Sequence, residues 1–320
     1  MASRLSNLVI KQTLINYAQG AAQRATNPVA DFLAPTVEVG AKSGYYKTYT
    51  TKQALRIPQT KRALNGRAVE LHRDASDSAY LLEAHAIDVP VDRAILDDDG
   101  MAENELMTAA DEAAAVAGLA HEKTVIDMAL ASVGAGTDSN FTSSSIDPVD
   151  ILDTQIQAVI KAAGYGSLMG VGLLFGATAW QRYKNNANVR ARFVGGSGGG
   201  AKGGGNGASL VTPNLEAVTA LQLANPEARV SLMVYDNAQE GLAASNTFIL
   251  DTGILIFARL ARPTRNDPSF MKTFRPRGAW MVPGTYTRED GRAEVAKMDW
   301  YSKPVVTNSG ACSRINATAA

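Results

Sequence analysis

An α+β fold organised around one long helix is what this sequence predicts. Three observations lead there. Residues 101–132, MAENELMTAADEAAAVAGLAHEKTVIDMALAS, hold no proline and a single glycine, Gly118. The stretches on either side, 33–95 and 270–320, have the extended character of strands rather than a helical repeat. Between the helix and the second of these, residues 146–269 mix helix-forming and strand-forming runs.

The long segment is dominated by Ala, Glu, Leu and Met, the strongest helix formers. Asp97, Asp98 and Asp99 precede it, and Glu103 and Glu105 lie in its first turns. Negative charge there complements the positive end of the helix dipole. Gly134 and Gly136 supply the stop. At 1.5 Å per residue the helix is roughly 48 Å long. Val116, Leu119, Ile126, Leu130 and Val133 fall on one stripe at helical spacing. Ala109, Ala110, Ala113, Ala114 and Ala117 are small enough to let a sheet approach closely. The segment reads either as the core helix of an enzyme or as a strut along a sheet, with one side left for other chains.

Residues 1–32 read as an arm, with Leu5, Leu8, Val9 and Ile15 clustered before a break at Asn27-Pro28. TVEVGAKSGYYKTY, from Thr36, is strand-like. The chain then stays extended, with Asn65-Gly66 as a turn, in what looks like a two-stranded excursion from one body. An isolated hairpin is marginal in water. Ordering its residues costs roughly 1–2 kcal/mol each in backbone entropy. The excursion must therefore lie on something else, and a neighbouring subunit is the simplest candidate.

Asp147-Pro148 is a cap and first-turn pair that opens a helix carrying Ile151, Leu152, Ile156, Val159 and Ile160. MGVGLLFG is a short buried strand. ATAWQRYKNNANVRARF is a helix that frays near Asn185-Asn186. The glycine run 195–208 is a flexible loop by composition. EARVSLMVYDN and SNTFILDTGILIFARLA read as strands. The last stretch has strand pieces around a turn at Glu289-Asp290-Gly291, expected to pair with strands flanking the long helix.

Charge is segregated in a chain of zero net charge. From Lys42 to Arg73 eight basic residues face one acid, Glu70, a net of +7. From Asp74 to Glu112 twelve acids face one base, Arg93, a net of −11. Either these are complementary surfaces or two solvated faces. The pairing expected between subunits sets Arg56, Lys61, Arg62 and Arg67 against Asp97, Asp98, Asp99 and Glu103.

No catalytic constellation emerges, and the expectation is a protein that is not an enzyme. Zero net charge argues against a strongly basic nucleic-acid binder. A single cysteine, Cys312, excludes an intrachain disulfide and reads as a small buried hydrophobe. Trp180, Trp280 and Trp300 read as core or interface anchors. Gly195-Gly196-Ser197-Gly198-Gly199 fits G-x-S-x-G but lacks the strand and helix of a nucleophile elbow. Gly198, Gly200 and Gly203 fit a dinucleotide pattern with no helix to receive a pyrophosphate. His72, His85 and His121 form no metal-ligand spacing, and the three aspartates serve the helix start more simply than a cation. No metal or cofactor is expected. The basic residues Arg259, Arg262, Arg265, Lys272, Arg275 and Arg277 face either nucleic acid, without reading its sequence, or solvent and an interface. No apolar run is long enough for a transmembrane helix, and the N-terminus is a poor signal peptide, so cytoplasmic synthesis is expected.

The order of parts resembles the major capsid proteins of tailed double-stranded DNA phages, the Hong Kong 97-type fold. NPVADFLAPTVEVGAKSGYYKTY looks like the exit from the arm, and IPQTKRALNGRAVEL like the extended loop. LLFGATAWQRYKNNANVRARF, LVTPNLEAVTALQL and VYDNA look like the axial domain of one branch. The resemblance implies an arm at 1–32, a peripheral strand at 33–44 and the extended loop at 45–86. It implies a peripheral domain with the spine helix at 87–145, an axial domain at 146–269 and returning peripheral strands at 270–320. It further implies a head protein that assembles with itself into pentamers and hexamers of an icosahedral virion shell, built in the host cytoplasm around DNA. A portal protein and, in some relatives, a decoration protein are implied partners. Because the arm begins almost at Met1, a separate scaffolding protein is expected. The cross-link between a loop lysine and an asparagine known in one branch has no motif here and is not assigned to Lys52 or Lys61. An encapsulin-like compartment shell and an α/β enzyme are the competing readings.

Overall fold

A computed structural model describes residues 28–49, 57–58, 60–62, 64–70, 75–96, 102–163, 170–194, 214–239, 241–260, 262–278 and 280–319. The chain divides into two compact units, each assembled from separated stretches. The first joins residues up to Tyr45 with Ala79–Val125 and Thr273–Val305; the second joins Tyr46–Ser78, Ile126–Lys272 and the residues from Val306 onward.

The first unit begins with α1 (Pro28–Leu33), where Pro28 opens a helix beyond the expected break. Val29, Ala30, Phe32, Leu33 and Ala34 are all buried. Strand β1 (Thr36–Val39) follows, then β2 (Ser43–Tyr49), β3 (Ala75–Leu81) and β4 (Glu83–Asp92). A short helix, α2 (Arg93–Leu96), is opened by Asp92, whose Oδ1 accepts the Ala94 N–H at 2.9 Å. The long helix α3 runs Ala102–Val133, within one residue of the expected bounds. It stops where Gly134 adopts φ 75°, and the Gly134 N–H closes on the Leu130 carbonyl at 3.1 Å.

Three late strands, β11 (Met271–Pro276), β12 (Met281–Thr287) and β13 (Ala293–Val306), complete the sheet on which one face of α3 lies. Its order is β1-β11-β13-β12, with β4 also paired to β13. β1 runs parallel to β11 from Thr36↔Thr273 to Val39↔Pro276. β13 is antiparallel to β12, and to β4 from Ala293↔Asp92 to Ser302↔Glu83. The returning strands thus pair with those before the long helix, as expected. Their turn holds Gly291 at φ 67°, and Asp290 Oδ1 accepts the Arg292 N–H. Ala113, Ala114 and Ala117 pack on Met281, Met298 and Trp300, while Ala109, Ala110 and Leu106 pack on Val91 and Ala296. The stripe expected from Val116 through Val133 is buried only in part: Ile126 is fully buried, Leu119, Leu130 and Val133 are half-buried, and Val116 lies outside. Val116 is 46% exposed, whereas the alanines are at most 4% exposed. A sheet at close approach selects the small side chains and leaves the larger valine outside.

The second unit holds a sheet built from β5 (Thr137–Asn140), β6 (Gly170–Phe175), β7 (Glu227–Val230), β10 (Gly253–Arg259) and β14 (Cys312–Thr318). Their order is β5-β14-β10-β6-β7. The central β10, GILIFAR, is buried on both faces and so reads as one apolar run rather than an alternation. Helix α4 (Pro148–Ala163) is capped as expected, Asp147 Oδ1 accepting the Val149 N–H at 3.1 Å. It buries Val149, Leu152, Ile156 and Val159. Gly176 ends β6 where a Cβ would stand 2.2 Å from the Asp251 carbonyl oxygen, so only glycine fits.

The expected fraying near Asn185-Asn186 is a clean break between α5 (Ala177–Asn185) and α6 (Ala187–Val194). The buried Asn186 amide donates to the carbonyls of Phe141, Ser143 and Ile146 at 2.9, 3.1 and 3.3 Å. Those bonds draw the residue out of the helix into extended backbone. The short α7 (Leu215–Leu221) and the hairpin β8 (Val234–Asp236) with β9 (Asn246–Phe248) complete the unit. The glycine run 195–208 lies outside the described residues.

Candidate functional site

The loop between β2 and β3 carries the basic half of the predicted contact. Its described part makes no strand, and its turn falls at Leu64-Asn65, with Asn65 in the left-handed region at φ 64°. Asparagine tolerates that conformation better than most residues. Lys61, Arg62 and Arg67 are exposed, and among the described residues none of them forms an ion pair. Beside them in the chain stand exposed apolar side chains, Leu64 at 99% exposure and Ile57 at 92%. Arg56, Asp97, Asp98 and Asp99 lie outside the described residues, and Glu103 is placed only as a backbone position in the first turn of α3. At the root of the loop the Thr48 and Ser76 hydroxyls meet at 2.7 Å.

A second polar constellation lies inside the first unit. His121 and Glu122, which read in the sequence as a polar step on the helix, are both buried. Each stands four residues beyond a small buried residue, Ala117 or Gly118, and so continues the buried side of the helix. Glu122 Oε2 accepts the Ala30 N–H at 3.0 Å, which ties α1 to α3. Burial pushes the Glu122 pKa up to about 8, the Ala30 hydrogen bond opposes the shift, and the neighbouring Asp31 charge adds to it. His121 is held neutral, its pKa lowered to about 3 by burial, then by Arg275 and His85. Arginine has only donors, so the 3.2 Å contact from Arg275 Nη2 makes His121 Nε2 the acceptor and puts the ring proton on Nδ1. Arg275 also pairs with Asp31 at 3.0 Å, and its guanidinium lies 3.8 Å from the Trp280 ring centroid.

The expected basic face is therefore divided. Arg262, Arg265 and Arg277 are exposed. Arg275 is buried in the cluster just described, and Lys272 is fully buried in the second unit. Lys272 pairs with Asp267 at 3.0 Å and donates to the Thr264 and Asp267 carbonyls at 2.8 and 2.6 Å. Desolvation requires such partners, and a sequence count of basic residues does not reveal them. Cys312 is buried and its pKa is raised by desolvation, as befits a small hydrophobe. Among the described residues no group of three His, Cys, Asp or Glu is placed to hold a metal ion, and no helix is long and apolar enough to cross a membrane.

No protein-family model matches the sequence, and no curated protein matches it. Solved structures do. A phage-related protein from Bordetella bronchiseptica superposes with a TM-score of 0.67 at 18% identity, over 95% of this chain and 96% of that one. The mature capsid of bacteriophage PhiM1 matches with a TM-score of 0.53 at 8% identity, over 90% of this chain and 86% of its own. The chain has the Hong Kong 97-type capsid fold. A holo encapsulin complex from Synechococcus elongatus also matches, with a TM-score of 0.50 at 14% identity, over 92% and 88% of the two chains. The long α3 and the late strand β13 paired to β4 are parts of one end-to-end match to the Hong Kong 97-type fold, not of a local motif.

Proposed function

We propose that this chain is the major capsid protein of a tailed double-stranded DNA phage, with a structural rather than an enzymatic role. The observation that carries the reading is the end-to-end likeness to a phage-related protein and to a mature phage capsid. In this reading copies of the chain form pentamers and hexamers that close an icosahedral shell around the genome. Residues 87–145 and 270–320 serve as the peripheral domain, 146–269 as the axial domain, and 45–86 as the extended loop. A separate scaffolding protein, a portal protein and a decoration protein are its proposed partners, with DNA held without sequence preference.

The loop supplies the proposed contact between subunits. Arg56, Lys61, Arg62 and Arg67 of one copy lie over Asp97, Asp98, Asp99 and Glu103 of its neighbour. The uncovered Ile57 and Leu64 support a surface that is completed by another chain. Each exposed ion pair contributes about 0–1 kcal/mol, so only repetition around a capsomer makes the sum large. Reversing Lys61 and Arg62 to Glu should block assembly and leave subunit melting unchanged. Adding Asp98→Lys and Asp99→Lys should restore part of it. Normal assembly of the first variant, seen by electron microscopy, would sink the contact.

The likeness to an encapsulin favours a second reading, a cellular compartment shell with protein cargo. Electron microscopy of particles purified from their natural source separates the two. Shells filled with DNA support the phage reading, shells filled with an enzyme support the compartment, and a uniform monomer refutes both.

A further inference from the structure

Glu122, on α3, faces α1, and among the described residues it has no cation of its own. The side chain is fully buried, Oε2 takes the Ala30 N–H at 3.0 Å, and Oε1 has no hydrogen-bond partner among the described residues. Among the described residues one charged side chain acts on it directly, and the others belong to the cluster beyond that one. From α1 comes Asp31, which adds repulsion. From β11 comes Arg275, already committed to Asp31, to His121 and to the Trp280 ring. From α3 itself comes His121, and from β4 comes His85, stacked on Trp300 at 5.1 Å. Beside this carboxyl, α1 is held by the buried apolar side chains of Val29, Phe32 and Leu33.

We propose that the Glu122 carboxyl is a proton-controlled latch: protonated, it holds the Pro28–Leu33 helix against the long helix, and ionised, it lets that helix go. Among the described residues an anion there would be buried, unpaired and next to Asp31, with one backbone N–H in compensation. The carboxyl accordingly keeps its proton up to about pH 8, against 4.5 for a solvated glutamate. The released state, in which Glu122 meets water, binds the proton less tightly. Release is therefore favoured about tenfold for each pH unit between those two values, and gains nothing further above the upper one. The latch is a property of the chain itself and does not rest on the shell reading.

Hydrogen exchange of the amides in residues 29–34, on the full-length protein at pH 6, 7, 8 and 9, tests it after correction for the intrinsic pH dependence of exchange. Protection should fall about tenfold from pH 6 to 7, somewhat less again to 8, and then level off. Glu122→Gln keeps an acceptor for the Ala30 N–H but has no proton to lose, so its protection should stay flat. Asp31→Asn removes the repulsion and frees Arg275, so levelling should come at a lower pH. An infrared carboxylic-acid band at pH 7, absent from Glu122→Gln, would report the buried proton directly. Flat protection in the wild type, an equal slope in Glu122→Gln, or unmoved levelling in Asp31→Asn overturns the latch.

Discussion

Replacing Ala114 by leucine, and separately its neighbour Ala115 by leucine, isolates the reason for the alanines of the long helix. The two sites share a helix interior, and leucine is nearly as good a helix former as alanine, so propensity cancels. Only the surroundings differ. Ala114 is 0% exposed and packs in the cluster with Met281, Met298 and Trp300, whereas Ala115 faces outward. In the Ala114→Leu variant three extra carbon atoms would have to stand where the sheet already is. Overpacking of this kind costs about 1–3 kcal/mol. The Ala115→Leu variant should stay within about 0.5 kcal/mol of wild type. Trimming Met298 to Ala in the Ala114→Leu background should recover part of the loss, a coupling of about 0.5–3 kcal/mol. Urea unfolding followed by tryptophan fluorescence in a Trp180→Phe background reports on the first unit, which holds Trp280 and Trp300. Equal stability of the two leucine variants would refute close approach as the reason for small residues.

Four further outcomes follow from burial. Relative to Glu122→Gln, wild type should lose roughly 1.4 kcal/mol of stability per pH unit between the unfolded value of 4.5 and the folded value of about 8. His121 acts with the opposite sign, its contribution complete above 6.5 and lost as pH falls toward about 3, so a denaturation series should show the two cancelling between pH 4.5 and 6.5. Asn186→Ala strips the donors from three carbonyls and should cost about 2 kcal/mol or more in thermal unfolding of the second unit. Lys272→Met leaves the buried Asp267 carboxylate without its cation and should cost about 3–5 kcal/mol, with Asp267→Asn in the same background restoring part of it.

What could be read from residues alone was what local chemistry decides. The long helix needed only propensity and two glycines, and its bounds came within a residue. The Asp147 cap, the Asn65 turn and the Asn186 break each follow from what a short polar side chain does to nearby backbone. The alanines from Ala109 to Ala117 were legible as a face that a sheet can approach, and the sheet covers them; that Val116 stays outside was not, because valine is the more hydrophobic residue and alanine the better fit. The choice was made by strands far along the chain. The buried Glu122 and Lys272 were missed for the same reason: their partners, Ala30 and the 264–267 turn, become neighbours only through tertiary structure. Of the predicted contact, the structure places Lys61, Arg62 and Arg67 in solvent, and a surface whose complement is another chain leaves no trace in a single copy.

The pairing of β4 with β13 also sets a timetable for synthesis. Ala114 finds Met298 about 180 residues later in the chain. At a translation rate of about 5–20 residues per second, that is a wait of roughly 10–40 s. The sheet-facing side of α3 therefore emerges from the ribosome long before the strands that cover it exist. A leucine-rich face held open that long would invite other nascent chains. An alanine face offers them little apolar area, so the same small residues that admit the sheet also keep the unfinished helix from adhering to its siblings.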